Sequence, residues 1–446
     1  MNKLAINGFH NLLRSAQLLI VILFFSTFVS CQNVKTKQQT TPDGFYALLS
    51  NEPVKTVAPQ EIRRLNKPQT FPRAAIEKRN EIARAYINEE LNSRLPFKLN
   101  SGNWKIKWQA DLATSFTPLA VLETKDRIVV HSDGIWWLFD KEGKKLKHGQ
   151  VGASGVVLDS ENFYAADSTG LIVARRLSDG NDVFALSLFF GDEYERSFMI
   201  RKGRRFLAVS RERELDPNVP DTKENSLIEL VDLGDPLKTD RDGLLKSSKS
   251  LAHLVRKTKL LFSAAHGETI VFATQNRIYL ADMNLNITQA FSGDFTPLTM
   301  SLDEAGRIYL IVEEKKRRSL WLMLPTGELA TTFELPFSFG QITMPPIIGY
   351  DHQVYIIGDN KILSVNSEGR LVWQTSLEKK INGAVVTTNE QLLVSTESEI
   401  LAFDAKSQKR TLFTFSNNDI QTSPVLTLNG EFLLATKKHL YCLTLN

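Results

Sequence analysis

The chain has 446 residues, a formal net charge of +4 and two cysteines. Lys3 and Arg14 are the charged residues of the first 30, so the remainder carries +4 − 2 = +2. That is too little to hold a nucleic-acid backbone, and two cysteines exclude a disulfide framework. The basic runs at 201–205 and 315–318 lack interleaved stacking aromatics and read as solvated turns.

Residues 1–30 read as an export signal. A positive start is followed by an apolar run from Leu18 to Phe25, too short to span a bilayer comfortably, and then by mostly small or polar residues. The segment ends Phe28-Val29-Ser30-Cys31. A cysteine at that point is rare by chance in a chain with two, which singles out Cys31. The alternative is an ordinary secretory peptide, or an uncleaved anchor, with Cys31 incidental. The tetrapeptide resembles the lipobox of bacterial lipoproteins, with Phe28 where Leu is usual. That resemblance implies acylation at Cys31, and Gln32 after it implies outer-membrane sorting. Residues 31–42 are polar and form a flexible tether with nothing to bury.

Residues 43–100 do not repeat. Four prolines punctuate the first part, and the periodicity then predicts a helix at 74–91, with Ile82, Tyr86 and Leu91 on one face. This helix is expected to brace the outside or the base of the domain that follows, with docking of a partner as the alternative.

From 101 to 446 the sequence predicts strand after strand. A short apolar run recurs roughly every 36 to 55 residues, the period of a β-propeller. Its members include Ile135 to Asp140, Arg277 to Asp282, Ile362 to Asn366 and Ile400 to Asp404, several followed by turns such as Lys141-Glu142-Gly143 or Ser367-Glu368-Gly369. Asp133-Gly134 and Asp179-Gly180 supply the positive φ of tight hairpins. Counting central strands gives eight units, at 113–150, 151–193, 194–255, 256–293, 294–337, 338–378, 379–417 and 418–446. Seven follows if the irregular third unit is not a blade. The last unit ends too early to hold its own outer strand. Trp104 to Gln109 matches Leu371-Val372-Trp373-Gln374 and is expected to complete it, pairing two edges that would otherwise invite aggregation.

The repeat, with its Gly-Asp and Glu-Gly turns and terminal Trp, resembles the pyrroloquinoline-quinone-type propeller repeat. Together with Phe28 to Cys31, the chain resembles the propeller lipoproteins of the outer-membrane β-barrel assembly machinery, the BamB type. The resemblance covers 1–31 and 104–446, and the long 43–100 extension departs from it. It implies an all-β propeller held at the bacterial outer membrane by its lipid, monomeric within a complex of envelope proteins such as the barrel-assembly complex.

No catalytic motif stands out. Propeller dehydrogenases use a calcium ion and often two adjacent cysteines, and no such pair is present. The seven histidines do not pair at ligand spacing. Residues 216–221 lack the Gly and Glu of a calcium loop, and no nucleophile elbow or phosphate loop appears. Trp136, Trp137, Trp321 and Trp373 are expected in blade interiors, and Cys442 as a small core residue. No catalytic residue, cofactor or metal is therefore assigned. Candidate partner contacts are the aromatic cluster Phe189, Phe190 and Tyr194, and Arg211 and Arg213 at the start of a long polar loop. Two functions compete: a membrane-tethered interaction scaffold without enzymatic activity, and a small-ligand-binding, glycan-binding or hydrolytic propeller with its site at the channel mouth.

Overall fold

The computed structural model describes residues 39–40, 46–47, 60–64, 71, 93–95, 97–112 and 118–446, less 133, 151–155, 159–161, 167–170, 188–196, 203–204, 212–225, 233–248, 257–259, 283, 285, 417–418 and 428. The expected signal, Cys31 and the helix at 74–91 lie outside the described residues. The chain divides into two units, Met1–Leu48 and Leu49–Asn446. In the first, Gln39–Thr40, within the expected tether, pairs antiparallel with Tyr46–Ala47.

The second unit is a β-propeller. Among its described residues the strands form eight sheets, each with four strands paired antiparallel and, in seven of them, in sequence order. Seven of them occupy 118–150, 156–187, 197–256, 260–292, 296–334, 347–376 and 381–414. The eighth takes three strands from 425–445 and its fourth from Trp104–Asp111. Middle strands such as Ile128–Ser132 and Leu392–Thr396 are buried at every position, because both faces of a sheet meet a neighbouring sheet. Their runs of Val, Ile and Leu suit that environment. Outer strands such as Lys145–Gln150 and Leu371–Ser376 are largely exposed.

The core lies between the sheets rather than within one. Trp136 and Leu138 of the first sheet join Phe163 and Ala165 of the second. Similar clusters join the fourth to the fifth, the fifth to the sixth, the sixth to the seventh and the seventh to the eighth. Ser197–Lys202, the first strand of the third sheet, lies against those of the second and fourth. Val425, Leu433 and Leu440 then meet Val121, Val130 and Trp137, and the ring closes.

The closing strand sits where its likeness to 371–374 predicts. Trp104–Asp111 pairs antiparallel with His439–Leu445, from Leu445 opposite Trp104 to His439 opposite Asp111. Trp104 is buried against Phe432, ring centroids 4.3 Å apart. Trp108 and Trp373 play one role in two sheets. Trp108 Nε1 donates to the Lys141 carbonyl at 3.1 Å and Trp373 Nε1 to the Ala405 carbonyl at 3.0 Å. Each indole thus docks on the third-to-fourth turn of the next sheet. Those turns begin with Asp140, Asp282, Asn366 or Asp404, whose Oδ1 accepts two backbone N–H groups further along the turn. Gly143 (φ +83°) must be glycine, since a Cβ there would lie 2.5 Å from the Trp108 ring. At Gly327 (φ +85°) it would lie 1.9 Å from Phe291 of the preceding sheet.

The N-terminal extension is built into this ring. Gln60–Glu61 adds in parallel to the outer strand Ile287–Ser292, and Arg63–Arg64 adds in parallel to Glu328–Glu334. Ile62 packs on the cluster between these two sheets. Further on, residues 93–95 and 97–99 form a strap across the first-to-second turns of the sixth and seventh sheets. Leu95 N–H donates to the Val386 carbonyl at 2.7 Å, and Thr388 N–H to the Phe97 carbonyl at 2.8 Å. Tyr350 Oη donates to the Leu95 carbonyl at 3.2 Å.

Candidate functional site

Four of the expected contacts, Phe189, Phe190, Tyr194 and Arg213, lie outside the described residues. Arg211 ends the strand Arg205–Arg211, opposite Ser226. The four tryptophans expected in the interior are all buried. Cys442 is buried too, and burial first, then Glu431, pushes its thiol far above the usual range. A thiol held neutral in this way is packing material rather than a nucleophile.

The strap ends in a polar cluster that sequence reasoning missed. Its Arg94 is almost fully buried; Nη1 pairs with Glu304 Oε2 at 2.5 Å, Nε donates to the Ile348 carbonyl at 2.7 Å and Nη2 to the Gly349 carbonyl at 2.6 Å. Asp303 receives two backbone N–H groups on Oδ1, while Oδ2 receives Arg307 Nε at 2.5 Å and the Tyr309 hydroxyl at 3.1 Å. Phe71 lies over the Arg307 guanidinium, 3.8 Å from its carbon to the ring centroid. Burial, then the Asp303 charge, holds Tyr309 well above its ordinary value, so it remains a neutral donor.

Asp303, Glu304 and His352 bring their ligand atoms within 4.8 Å of one another. The donor set does not suit a cation, because two guanidinium groups already meet both carboxylates and balance their charge. The cluster is a latch that holds the strap to the ring.

In a sheet of four antiparallel strands, the second-to-third turn and the exit to the next sheet lie at the end opposite that latch. At this other end of the fifth sheet, Phe337 is 93 % exposed, far beyond the other large apolar side chains exposed among the described residues. It sits on a single 3₁₀ turn, Phe337–Phe339, whose Phe339 is buried. Arg318 donates to the Gly340 carbonyl and Lys361 to the Ser338 carbonyl, so two cations hold the backbone just after the exposed ring.

The adjoining hairpin turn carries Lys315 at φ +46° and Lys316 at φ +69°. Left-handed backbone costs a non-glycine residue about 1–2 kcal/mol, and Asn-Gly is the usual solution. Arg317 beside them is loosely paired with Glu334 at 3.4 Å. Phenylalanine and arginine are among the residue types enriched at protein interfaces. The sequence signal was Pro336-Phe337-Ser338-Phe339-Gly340, two aromatics in a connection between strands.

Among the described residues, no helix is long and apolar enough to cross a membrane. No family profile and no curated protein matches the chain. Solved structures do match. BamB from Moraxella catarrhalis aligns at 12 % identity and TM-score 0.53, covering 76 % of this chain and 99 % of that one. The computationally designed Ika8 protein aligns at 12 % identity and TM-score 0.53, covering 75 % and 98 %. At this identity the likeness establishes the propeller fold.

Proposed function

We propose that the chain is a non-catalytic interaction scaffold of the bacterial cell envelope, anchored through Cys31, which presents the Phe337 end of its ring to a protein partner. Phe337 carries the reading: a phenyl ring 93 % exposed on a turn held by Arg318 and Lys361. Covering a ring of that size contributes roughly 1.5–3 kcal/mol to a complex. The first strands of the sheets favour a scaffold over a site in the channel. Their one carboxylate among the described residues, Glu123, is buried and paired with Lys141. A lipid anchor would confine the scaffold to a membrane surface and raise the effective concentration of partners there.

The specific form of this reading is the BamB type, with the outer-membrane barrel-assembly complex as partner. Phe337→Ala is expected to leave the thermal midpoint unchanged and to reduce co-purification with that complex at least tenfold, since a hot-spot truncation costs about 2 kcal/mol or more. Deletion of the chain is expected to lower the levels of outer-membrane barrels. A clean pulldown with unchanged barrels eliminates the assembly role. Undiminished co-purification of the Phe337→Ala protein eliminates this end of the ring as the contact.

A further inference from the structure

The outer strands of the fifth and sixth sheets share one register but differ in what covers them. Met323 pairs with Leu329 across a bulge, as Val365 pairs with Leu371, so Leu329 and Ala330 correspond to Leu371 and Val372. The first pair is 3 % and 4 % exposed, and the second 45 % and 46 %. Over Leu329 the chain lays its own Arg63–Arg64 as a parallel strand, with Ile62 packed into the cluster that contains Leu329. Among the described residues no strand pairs with the outer edge of Leu371–Ser376. The bulge is no obstacle, since Glu328–Glu334 carries the same one and still accepts a strand.

Edges of this kind are ordinarily protected by charge. Lys145–Gln150, Lys409–Thr414 and Trp104–Asp111 each carry lysines, whereas Leu371–Ser376, sequence LVWQTS, carries no charged residue. Ile287–Ser292 also has none, and there Gln60–Glu61 adds to the edge. The charge at the start of the outer strand is inverted between the two sheets. The register sets Arg63 opposite Glu328, and the residue at the place of Glu328 in the sixth sheet is Arg370. Arg370 has a side chain 77 % exposed, in loose contact with Glu368 at 3.2 Å.

We propose that Leu371–Ser376 is a docking edge for an extended segment of a partner protein. That segment adds in parallel, with an acidic residue in register with Arg370 and an apolar one over Leu371 and Val372. The chain supplies its own example of the mode one sheet away, with the charges exchanged. Backbone hydrogen bonds provide affinity at such an edge, and the cross-strand charge sets the choice of partner. This proposal rests on the scaffold reading but uses a different surface.

The test uses the full chain and a fluorescent peptide copied from its residues 59–66 with Arg63→Glu and Arg64→Val, read by anisotropy. The peptide is expected to bind. Arg370→Glu is expected to weaken it about tenfold, and to strengthen by a similar factor a second peptide that keeps Arg63. Leu371→Lys with Val372→Lys, at two exposed positions, is expected to abolish binding of both while leaving the thermal midpoint in place. No binding, or binding indifferent to Arg370→Glu, overturns the proposal. So does concentration-dependent dimerisation that the double lysine variant removes, because the occupant is then a second copy. The peptide reads this edge alone, and Phe337→Ala changes the other surface alone, so each idea can fail without the other.

Discussion

A chain from which Trp104–Asp111 is deleted is expected to lose its cooperative unfolding transition and to aggregate. Two effects act together. The deletion removes Trp104, 6 % exposed against Phe432, and Trp108, whose indole docks on the Lys141 turn. Loss of a buried aromatic of this size costs about 3–5 kcal/mol. It also strips the partner from His439–Leu445, leaving a seven-residue apolar strand with an open edge. Against a net stability of about 5–15 kcal/mol, that combination leaves little folded protein. Denaturant titration with sedimentation checks it, and a synthetic strand of residues 103–112 added in trans is expected to restore a transition. A deletion variant that still unfolds cooperatively as a monomer would show that the ring does not depend on its closing strand.

Arg94→Ala is expected to destabilise the protein by about 2 kcal/mol at neutral pH, through the loss of a half-buried ion pair and of donors to two carbonyls. The effect should fade in acid, and the sign follows from Glu304. Burial alone pushes its carboxyl upward, but the adjacent Arg94 outweighs burial and holds it below its ordinary value. A carboxyl depressed in the folded state contributes stability that is complete above the unfolded glutamate value, about 4.3. That contribution is lost as pH falls through the lower folded value. Urea midpoints of the two proteins should therefore differ most at pH 7, and the gap should narrow by the ion-pair share as the pH falls through that lower folded value. A difference that persists unchanged into acid would mean that Arg94 acts through its two carbonyl partners and Tyr350, whose ring it covers at 5.1 Å, rather than through Glu304.

The regular parts of this molecule were legible because each repeat solves the same packing problem. Strands buried on both faces must be apolar throughout, and the turn residues Asp140, Asp282, Asn366 and Asp404 recur because each caps two backbone N–H groups. The equivalence of Trp108 and Trp373 could be read before any contact was known, since both dock on the same kind of turn. The latch could not be read, because Arg94 and Glu304 are 210 residues apart and belong to no repeat. Nor could the exposure of Phe337. Pro336-Phe337-Ser338-Phe339-Gly340 spells two aromatics without saying that Phe339 turns inward and Phe337 outward. The covering of the fifth outer strand by residues 62–64 was hidden for the same reason: two-residue strands leave no pattern.

The central claim is that the ring is closed by pairing its first outer strand with its last strand. An engineered disulfide between Lys105→Cys and Thr444→Cys, opposite each other in that pairing, tests it most directly. With Cys31 replaced by serine, the account predicts that oxidation forms this bond within one molecule and raises the unfolding midpoint. A bond that forms only between molecules, or not at all, would contradict it.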